Sequence, residues 1–415
     1  MQRYASDDTT QAWSGRQPDP WDASIGPLKL FDTRTRRKVT VAPSRTVRVY
    51  TCGITPYDST HLGHAFIYAV FDALVRYLEH LGHRVRYVRN ITDVDDDILG
   101  KARELRVDYL ALARQEIARF DRDLGILGLR RPDAEPRATG AILAIVQAIR
   151  GLVEAGAAYA LPDGRVYFDT GAADAFGALS RLDRPEMLRQ FAEKGGDPEA
   201  PGKRDALDFL LWQPSGADEP AWASAWGAGR PGWHIECSVM AMEELGSVID
   251  IHGGGNDLIF PHHEAEILQS ETLTGQGPFA RVWAHVGMVG LDGVKMSKSL
   301  GNLVFVADLL ERFEPSAIRR YLLEHHYRES WDHDERDLEE AAQGVKRWRE
   351  AASSEGASPD LEAAFAAAMA DDLDVPAAIT VLDEAAELGM GQTLSRLLSA
   401  FGFGPEAWHS QKKNR

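Results

Sequence analysis

The pattern of apolar and polar positions predicts alternating strands and helices near the start of the chain. The run "TVRVY" (Thr46–Tyr50) alternates and is β-branched, which is typical of a strand, and the apolar spacing over residues 65–77 indicates a helix. "HRVRYVRN" (His83–Asn90) predicts a second strand, and "ITDVDDDILGKA" leads into a second helix. We therefore expect the order strand, helix, strand, helix from residue 28 to about 99.

The rest of the chain interrupts this pattern and then resumes it. Helical spacing around 107–125 and 139–155, the hairpin-like "AYALPDGRVYFDT" and a polar loop, "EKGGDPEAPGKRDALDF", predict an insertion. The apolar run of "SVIDIHGGG" (Ser247–Gly255) suits a buried parallel strand. Residues 305–350, which include "AIRRYLLEHHYRESW", and the Ala-rich tail that follows are expected to be helical.

Composition places the chain among cytoplasmic globular proteins. Its 415 residues are too many for one compact core, and 44% hydrophobic with 26% charged residues is ordinary for a soluble chain. We find no membrane-span or signal pattern, and two distant cysteines make no disulfide framework, which favours a reducing compartment. A net charge of −17 argues against a large phosphate-binding face, although a local basic strip is compatible with it.

Two short motifs carry residues suited to phosphate chemistry. His61 and His64, in "HLGH", lie three apart at a predicted helix start, where the helix dipole favours anions. Lys295 and Lys298, in "KMSKS", present two ammonium groups on a Ser-rich segment that can close over pyrophosphate. Taken singly, the first motif is more often a pair of surface or capping histidines, and the second a solvated basic turn.

Together the two motifs resemble the signatures of class I aminoacyl-tRNA synthetases. Within that class the chain resembles the cysteinyl-tRNA synthetase group in "CGITPYDSTHLGHA", "NITDVDD", "GRPGWHIECSVMAM", "DIHGGGNDLIFPHHEAEILQSE" and "KMSKSLGN". The resemblance runs from about residue 28 to 390. It implies an α/β fold with a Rossmann core, an inserted connective domain and a C-terminal helical bundle, and activation of an amino acid as its adenylate.

The resemblance also implies a zinc site. The positions that match the zinc ligands of that group are Cys52, Cys237, His262 and Glu266. Thiolates, imidazole and carboxylate suit Zn²⁺, and an open position on the metal would bind the thiolate of substrate cysteine, which serine cannot match. Without this context, two lone cysteines are more often buried small hydrophobes. His263 and Glu264 are expected to be neighbours of the ligands.

Further positions match residues that contact the nucleotide or adenylate. The Gly triplet of "HGGGND" permits close approach of adenine or ribose, although such a triplet is often only a loop. Trp233 could wall the cysteine pocket, although tryptophan is more often core, and Thr55 and Thr92 are candidate hydrogen-bond donors. The expected contacts are Cys52, Gly53, Ile54, Thr55, Asn90, Ile91, Thr92, Trp233, Gly255, Asn256, Asp257 and Val289.

A shorter family of relatives matches better than the synthetases themselves. The chain is similar to the mycothiol-pathway ligases that join L-cysteine to glucosaminyl-inositol, most specifically at Glu193–Pro198 ("EKGGDP"), which alone would be a flexible loop. Residues 351–400 hold nine acidic residues against one basic, a net charge of 1 − 9 = −8, which is a poor RNA surface. Two positions depart from this family: Glu266 is a carboxylate as in the synthetases, and residue 67 is Ile where a hydroxyl is expected.

These observations give one main hypothesis and two alternatives. The main hypothesis is an ATP-dependent ligase with Mg-ATP, L-cysteine and glucosaminyl-inositol as substrates, one zinc ion per chain, no tRNA or membrane partner, and a monomeric state. The alternatives are a cysteinyl-tRNA synthetase without a full anticodon-binding domain and a non-catalytic cysteine sensor. The expected divisions are an N-terminal arm (1–26), the first Rossmann half (27–100), the insertion (101–205), the second half (206–290), the KMSKS segment (291–330) and the helical bundle (331–415).

Overall fold

The computed structural model describes residues 27–41, 46–57, 60–173, 175–296 and 301–403. The predicted arm of residues 1–26 and the second lysine of the KMSKS motif, Lys298, lie outside the described residues. Among the described helices, none combines the length and apolar character needed to cross a lipid bilayer.

A four-stranded parallel sheet forms the centre of the fold. Its strands, in spatial order, are β10 (Ala280–Val286), β9 (Ile249–Gly255), β3 (Thr46–Ile54) and β4 (Arg84–Ile91). Every residue of β9 is buried, as its apolar run predicted. Because β3 pairs with β9 although about 200 residues separate them, the carboxyl ends of both strands meet at one edge, where doubly wound folds bind ligands.

The first predicted strands and helices are confirmed, and a hairpin precedes them. Helices α1 (Leu62–His80) and α2 (Asp96–Leu105) follow β3 and β4 in the predicted order. Upstream lie β1 (Lys29–Asp32) and β2 (Arg37–Thr40), an antiparallel pair outside the central sheet that the sequence analysis did not predict. The sequence analysis missed them because the four residues of β2 are exposed or partly exposed and carry no apolar pattern.

The predicted insertion carries a sheet of its own. Helices α3 (Tyr109–Ile126), α4 (Ala138–Glu154) and α5 (Arg184–Glu193) lie here, the first two close to their predicted bounds. The predicted hairpin forms β5 (Ala158–Ala160) and β6 (Val166–Phe168). The hairpin continues into two further strands, β7 (Phe209–Pro214) and β8 (Gly229–Pro231), in the spatial order β5-β6-β7-β8. The domain boundary expected at residue 205 therefore falls between strands of one sheet.

After the insertion, helices pack against the central sheet and then form the C-terminal bundle. They are α6 (Trp233–Leu245), α7 (Glu264–Thr274), α8 (Val306–Leu310), α9 (Pro315–Leu323), α10 (Glu335–Ala351), α11 (Pro359–Ala370), α12 (Val375–Glu387) and α13 (Gly391–Ala400). Short turns of helix occupy Thr170–Ala172, Asn256–Leu258 and Ile259–His263.

The expectation of helix throughout "AIRRYLLEHHYRESW" is wrong at its end. Helix α9 stops at Leu323, and Trp331–Asp332 form strand β13. This strand pairs with β11 (Val289–Leu291), which also pairs with β12 (Val294–Lys295). Backbone pairing with β11 takes the place of the helical hydrogen bonds that the local pattern predicted. The Trp331 ring also stacks on His325, with centroids 3.7 Å apart.

Gly53→Ala should destabilise the fold through the contact between β3 and β4. A Cβ at this position would lie 1.5 Å from the carbonyl oxygen of Asn90, and the clash is with backbone that cannot move freely. We expect a loss of about 3 kcal/mol in the free energy of unfolding, measured by urea denaturation.

Gly140→Ala is the matched control. Gly140 is exposed within α4 and has open space around it, so alanine should raise stability by about 0.5–1 kcal/mol. Equal unfolding midpoints for G53A and the unsubstituted protein would contradict the strand contact.

Candidate metal and nucleotide site

Four side chains from separate elements converge at the carboxyl edge of the central sheet. Cys52 comes from the end of β3, Cys237 from the first turns of α6, His262 from the turn before α7, and Glu266 from α7 itself. Their ligating atoms all lie within 4.8 Å of one another, and all four residues are buried. The structure thus brings together every residue of the predicted zinc set.

The imidazole of His262 is oriented by its neighbours and leaves one nitrogen facing the cluster. Its Nδ1 is hydrogen-bonded to Nδ1 of His234 at 2.9 Å, and its ring stacks on Trp233 at 4.2 Å. Nε2 lies 3.2 Å from Oε1 of Glu266 but has no hydrogen-bond partner among the described residues. A buried nitrogen without a proton donor, beside a carboxylate and two sulfurs, fits a cation in this space.

Two further histidines orient the other donor groups. The Cys52 sulfur lies 3.3 Å from Nε2 of His263, and its thiol donates to Oε1 of Glu266 at 3.5 Å. Oε2 of Glu266 is hydrogen-bonded to Nε2 of His252 at 2.9 Å. Such outer partners fix the orientation of metal-ligating groups. Nδ1 of His263 is also hydrogen-bonded, to Nε2 of His285 at 2.7 Å.

A second grouping of Cys52, His252 and His263 also has its ligating atoms within 4.8 Å of one another. Both ring nitrogens of His263 already contact a partner, and Nε2 of His252 bonds Glu266. The four-residue set offers four donors, two of them thiols, against three donors and one thiol in the second grouping, so it is the better cation site.

Burial sets the protonation of these groups. Desolvation raises the pKa of the Cys52 thiol, and the nearby Cys237 and Glu266 raise it further. Desolvation also raises the pKa of the Glu266 carboxyl and lowers the pKa of the His262 imidazole. Burial therefore favours the neutral form of each of these three groups, and a cation would favour the deprotonated thiol and carboxyl.

The HLGH motif lies against residues 304–306. Thr60 and Leu62, at the start of α1, exchange backbone hydrogen bonds with Val306 and Val304, a few residues after the KMSKS motif. His61 caps α1 by accepting from the backbone N–H of Gly63 at 3.1 Å, although its ring also stacks on His64 with centroids 3.8 Å apart. His61 therefore caps the helix, as one interpretation of the motif expected, and this cap is compatible with a role in phosphate binding.

The first lysine of the KMSKS motif faces the loop after β9. Nζ of Lys295 lies 3.3 Å from Oδ2 of Asp257, and both side chains are partly exposed. A Cβ on Gly255 would lie 2.5 Å from Oδ1 of Asp257, so the glycine leaves room for this carboxylate. A basic group and strand-end glycines thus share one edge, as a nucleotide site requires.

The remaining predicted contacts follow the strand ends. Asn90 accepts from the backbone N–H of Gly53 at 2.8 Å and donates to Thr92 at 3.2 Å, so it joins the ends of β3 and β4. Thr55 donates to Oδ2 of Asp95 at 2.7 Å. The other predicted contacts also lie at the ends of elements. Ile54 and Ile91 end β3 and β4, Asn256 follows β9, and Val289 and Trp233 begin β11 and α6.

Several residues of this site are not predictable from the sequence pattern alone. His263 and Glu264, expected as neighbours of the ligands, are both buried, with Glu264 accepting three backbone N–H groups of residues 177–180. The sequence pattern did not single out His234, His252 or His285. His234 and His252 stand in the segments "GRPGWHIECSVMAM" and "HGGGND", so their closeness in sequence to Cys237 and Gly255 could have indicated them.

Comparison with known proteins places this geometry in a family. Residues 38–343 match the family of "tRNA synthetases class I (C) catalytic domain". The chain is 47% identical over 369 residues to the L-cysteine:1D-myo-inositol 2-amino-2-deoxy-alpha-D-glucopyranoside ligase of Thermobifida fusca, covering 88% of this chain and 89% of that protein. The ligase of the same name from Nocardiopsis dassonvillei is 45% identical over 384 residues, covering 92% and 94%.

Solved structures show the same fold at much lower identity. Mycobacterium tuberculosis methionyl-tRNA synthetase with methionyl-adenylate aligns with a TM-score of 0.59 at 18% identity, covering 86% of this chain and 90% of that one. An Agrobacterium radiobacter LeuRS in a ternary complex with tRNA and LeuAMS gives a TM-score of 0.63 at 12% identity, covering 95% and 86%. The Rossmann-type α/β fold expected from the sequence is thereby confirmed.

Removal of either a sulfur or the imidazole should abolish metal binding. We expect about one zinc ion per purified chain, and C237A and H262A variants that retain less than about a tenth of it, by elemental analysis. The control is H83A, because His83 is partly buried at the turn between α1 and β4, away from the cluster. Full zinc content in both cluster variants would contradict this site.

Asp95 should make the stability of the protein depend on pH. Burial raises the pKa of its carboxyl from 3.8 to about 6 despite hydrogen bonds from Ile98 and Thr55. The folded state then holds this proton to a higher pH than the unfolded state, so stability is lost as pH rises from about 4 to 6. D95N should therefore be about 3 kcal/mol more stable than the unsubstituted protein at pH 8, and about equally stable near pH 3.

The control for this measurement is L143A. Leu143 is exposed on α4 and carries no titratable group. Its effect on the free energy of unfolding should be the same at both pH values. A D95N effect that does not change with pH would rule out a titrating Asp95.

Proposed function

Because the chain belongs to the class I (C) tRNA synthetase family and is 45–47% identical to the curated ligases, we propose that it is an ATP-dependent ligase of the same activity. It activates L-cysteine as cysteinyl-adenylate and transfers the cysteinyl group to the amine of 1D-myo-inosityl 2-amino-2-deoxy-alpha-D-glucopyranoside. The observation that carries the proposal is the four-donor cluster, which lies at the same strand ends as the nucleotide-type residues.

The reaction has two balanced steps. The carboxylate of cysteine attacks the α-phosphorus of Mg-ATP, and the bond from that phosphorus to the β-phosphate oxygen breaks, which releases pyrophosphate. The acceptor amine then attacks the carbonyl carbon of the adenylate. The bond to the phosphate oxygen breaks, AMP leaves, and the amine loses a proton as the amide forms.

Cys52, Cys237, His262 and Glu266 would hold a zinc ion. When bound, the ion supplies a soft acceptor for the substrate thiol and so favours cysteine over serine. Trp233 stacks on His262 and so covers that ligand from one side. All four residues are buried, which limits the access of competing water to the ion.

The phosphate-type residues stabilise charge on the leaving pyrophosphate. His61 and His64 lie at the N-terminal end of α1, where the helix dipole is positive. Lys295 reaches the strand-end loop through Asp257, and Lys298 is the matching residue of the same motif. Removing one such donor from a preorganised site costs about 100-fold or more in rate.

A cysteinyl-tRNA synthetase is the second candidate, and one observation favours it. Glu266 lies within the donor cluster, where a carboxylate is expected for the synthetases. Against it stands the charge near the end of the chain: residues 351–400 carry nine acidic residues and one basic residue, which is unfavourable for binding an RNA backbone. The ligase therefore remains our proposal, and the monomeric state stays a prediction.

The molecule that accepts the cysteinyl group distinguishes the ligase from the synthetase. We expect the cysteine-loaded enzyme to release AMP at least about tenfold faster when glucosaminyl-inositol is added, and no faster when tRNA is added, measured by AMP formation after rapid mixing. The control compound is the same pseudodisaccharide with a hydroxyl in place of the amine, which should bind without accelerating release. Acceleration by tRNA alone would establish the synthetase instead.

A further inference from the structure

One short segment of the core, residues 256–263, joins the two halves of the site. It starts directly after β9, carries Asp257, which pairs with Lys295, and ends with His262 of the donor cluster. The segment is not a regular helix, because Phe260 has extended backbone angles (φ −131°, ψ 135°) within it. Its geometry must therefore be fixed by contacts other than a continuous helical ladder.

Two carbonyl groups in this segment lack the usual helical donor. The oxygen of Asp257 would accept from residue 261 in a helix, but Pro261 has no N–H. The oxygen of Phe260 would accept from Glu264, whose N–H instead bonds the carbonyls of Ile259 and Pro261. Both oxygens thus need a donor from elsewhere in the fold.

Lys194 of the insertion supplies both donors. Its Nζ donates to the carbonyl oxygen of Asp257 at 2.6 Å and to that of Phe260 at 2.5 Å. A third contact, at 3.4 Å, goes to Oε1 of Gln190. The three hydrogens of the ammonium group are therefore all used, and two of them bind the segment between the nucleotide-type residues and His262.

The "EKGGDP" sequence explains how Lys194 reaches the core. Lys194 is the C-cap of α5, and Gly195 follows with φ +86°, a left-handed conformation that ends the helix. A Cβ on Gly196 would lie 2.5 Å from the ring of Phe191, so this glycine lets the chain fold back against its own helix. The turn holds the lysine at the helix end that faces residues 256–263.

We propose that Lys194 is a positioning residue for adenylate formation. By bonding the carbonyl oxygens of Asp257 and Phe260 it fixes residues 256–263, and through the carboxylate of Asp257 it sets the position of Lys295. Lys194 itself contacts neither substrate nor metal in this scheme. The inference rests on the proposed function and assigns to the insertion a specific role in it.

The test is cysteine-dependent ATP–pyrophosphate exchange by the full-length protein with K194M. We expect kcat to fall by about 100-fold, because a displacement near 1 Å of a catalytic group costs that much. KM for cysteine should change less than about threefold, since the lost interaction acts on the transition state, and zinc content should be unchanged. An unchanged kcat, or loss of zinc together with a collapsed melting temperature, would overturn the proposal.

Lys203 provides the matched control within the same loop. Its Nζ also donates to two backbone carbonyls, those of Asp197 at 2.9 Å and Ala206 at 2.6 Å, but both belong to the insertion. K203M should therefore keep the exchange rate of the unsubstituted protein. An equal loss in K203M would mean that general loosening of the insertion, and not the contact with residues 256–263, lowers the rate.

A double-variant comparison separates the route through Lys295 from other effects. If Lys194 acts by positioning Lys295, then K194M/K295M should lose no more kcat than K295M alone, measured by single-turnover adenylate formation. Additive losses would overturn this route. K194R keeps the charge and the donors and should retain kcat within about tenfold of the unsubstituted protein, whereas a loss as deep as that of K295M would also overturn the proposal.

Failure of this inference is distinguishable from failure of the proposed function. If the unsubstituted protein shows no cysteine-dependent exchange, the function is wrong and Lys194 is not at issue. If the unsubstituted protein shows exchange and K194M matches it, the function stands and only the role of Lys194 is wrong.

Discussion

Burial of two sulfurs, an imidazole and a carboxyl group in one space is the constraint on which this site depends. Charged groups are costly in such a space unless a partner of opposite charge is present. The surrounding side chains meet this constraint with hydrogen bonds between His234 and His262 and between His252 and Glu266. The same bonds hold the donor atoms in one arrangement, so selectivity for a soft metal and its thiol ligand depends on tertiary packing.

The site joins two regions that are distant in sequence and chemically different. The donor cluster selects the side chain of the amino acid, while the strand-end loops and the motifs around His64 and Lys295 act on phosphates. Residues 256–263 belong to both regions, since Asp257 pairs with Lys295 and His262 belongs to the cluster. Because Pro261 leaves this segment short of internal hydrogen bonds, its shape depends on a lysine from the insertion. One segment of the chain therefore carries residues of both regions.

Local sequence patterns predicted those elements whose stability is mainly local. Helices α1, α3 and α4 have long, regular apolar periodicity, and β9 follows a short apolar run, so their existence and approximate bounds were predictable. The hairpin β1–β2 and the two-residue strand β13 were missed, because such short strands exist through pairing with partners elsewhere. The same reason explains why the sheet of the insertion extends beyond residue 205.

The sequence by itself determined the chemical inventory: which residues can bind a metal, which can bind phosphates, and, through resemblance, which family they belong to. Only the tertiary structure decided that Cys52 and Cys237, 185 positions apart, lie within 4.8 Å of the same imidazole and carboxylate. It also assigned His234, His252 and Lys194 their partners. The physical reason is that hydrogen bonds and ligand contacts depend on distance in space, and the parallel pairing of β3 with β9 fixes that distance without leaving a local pattern.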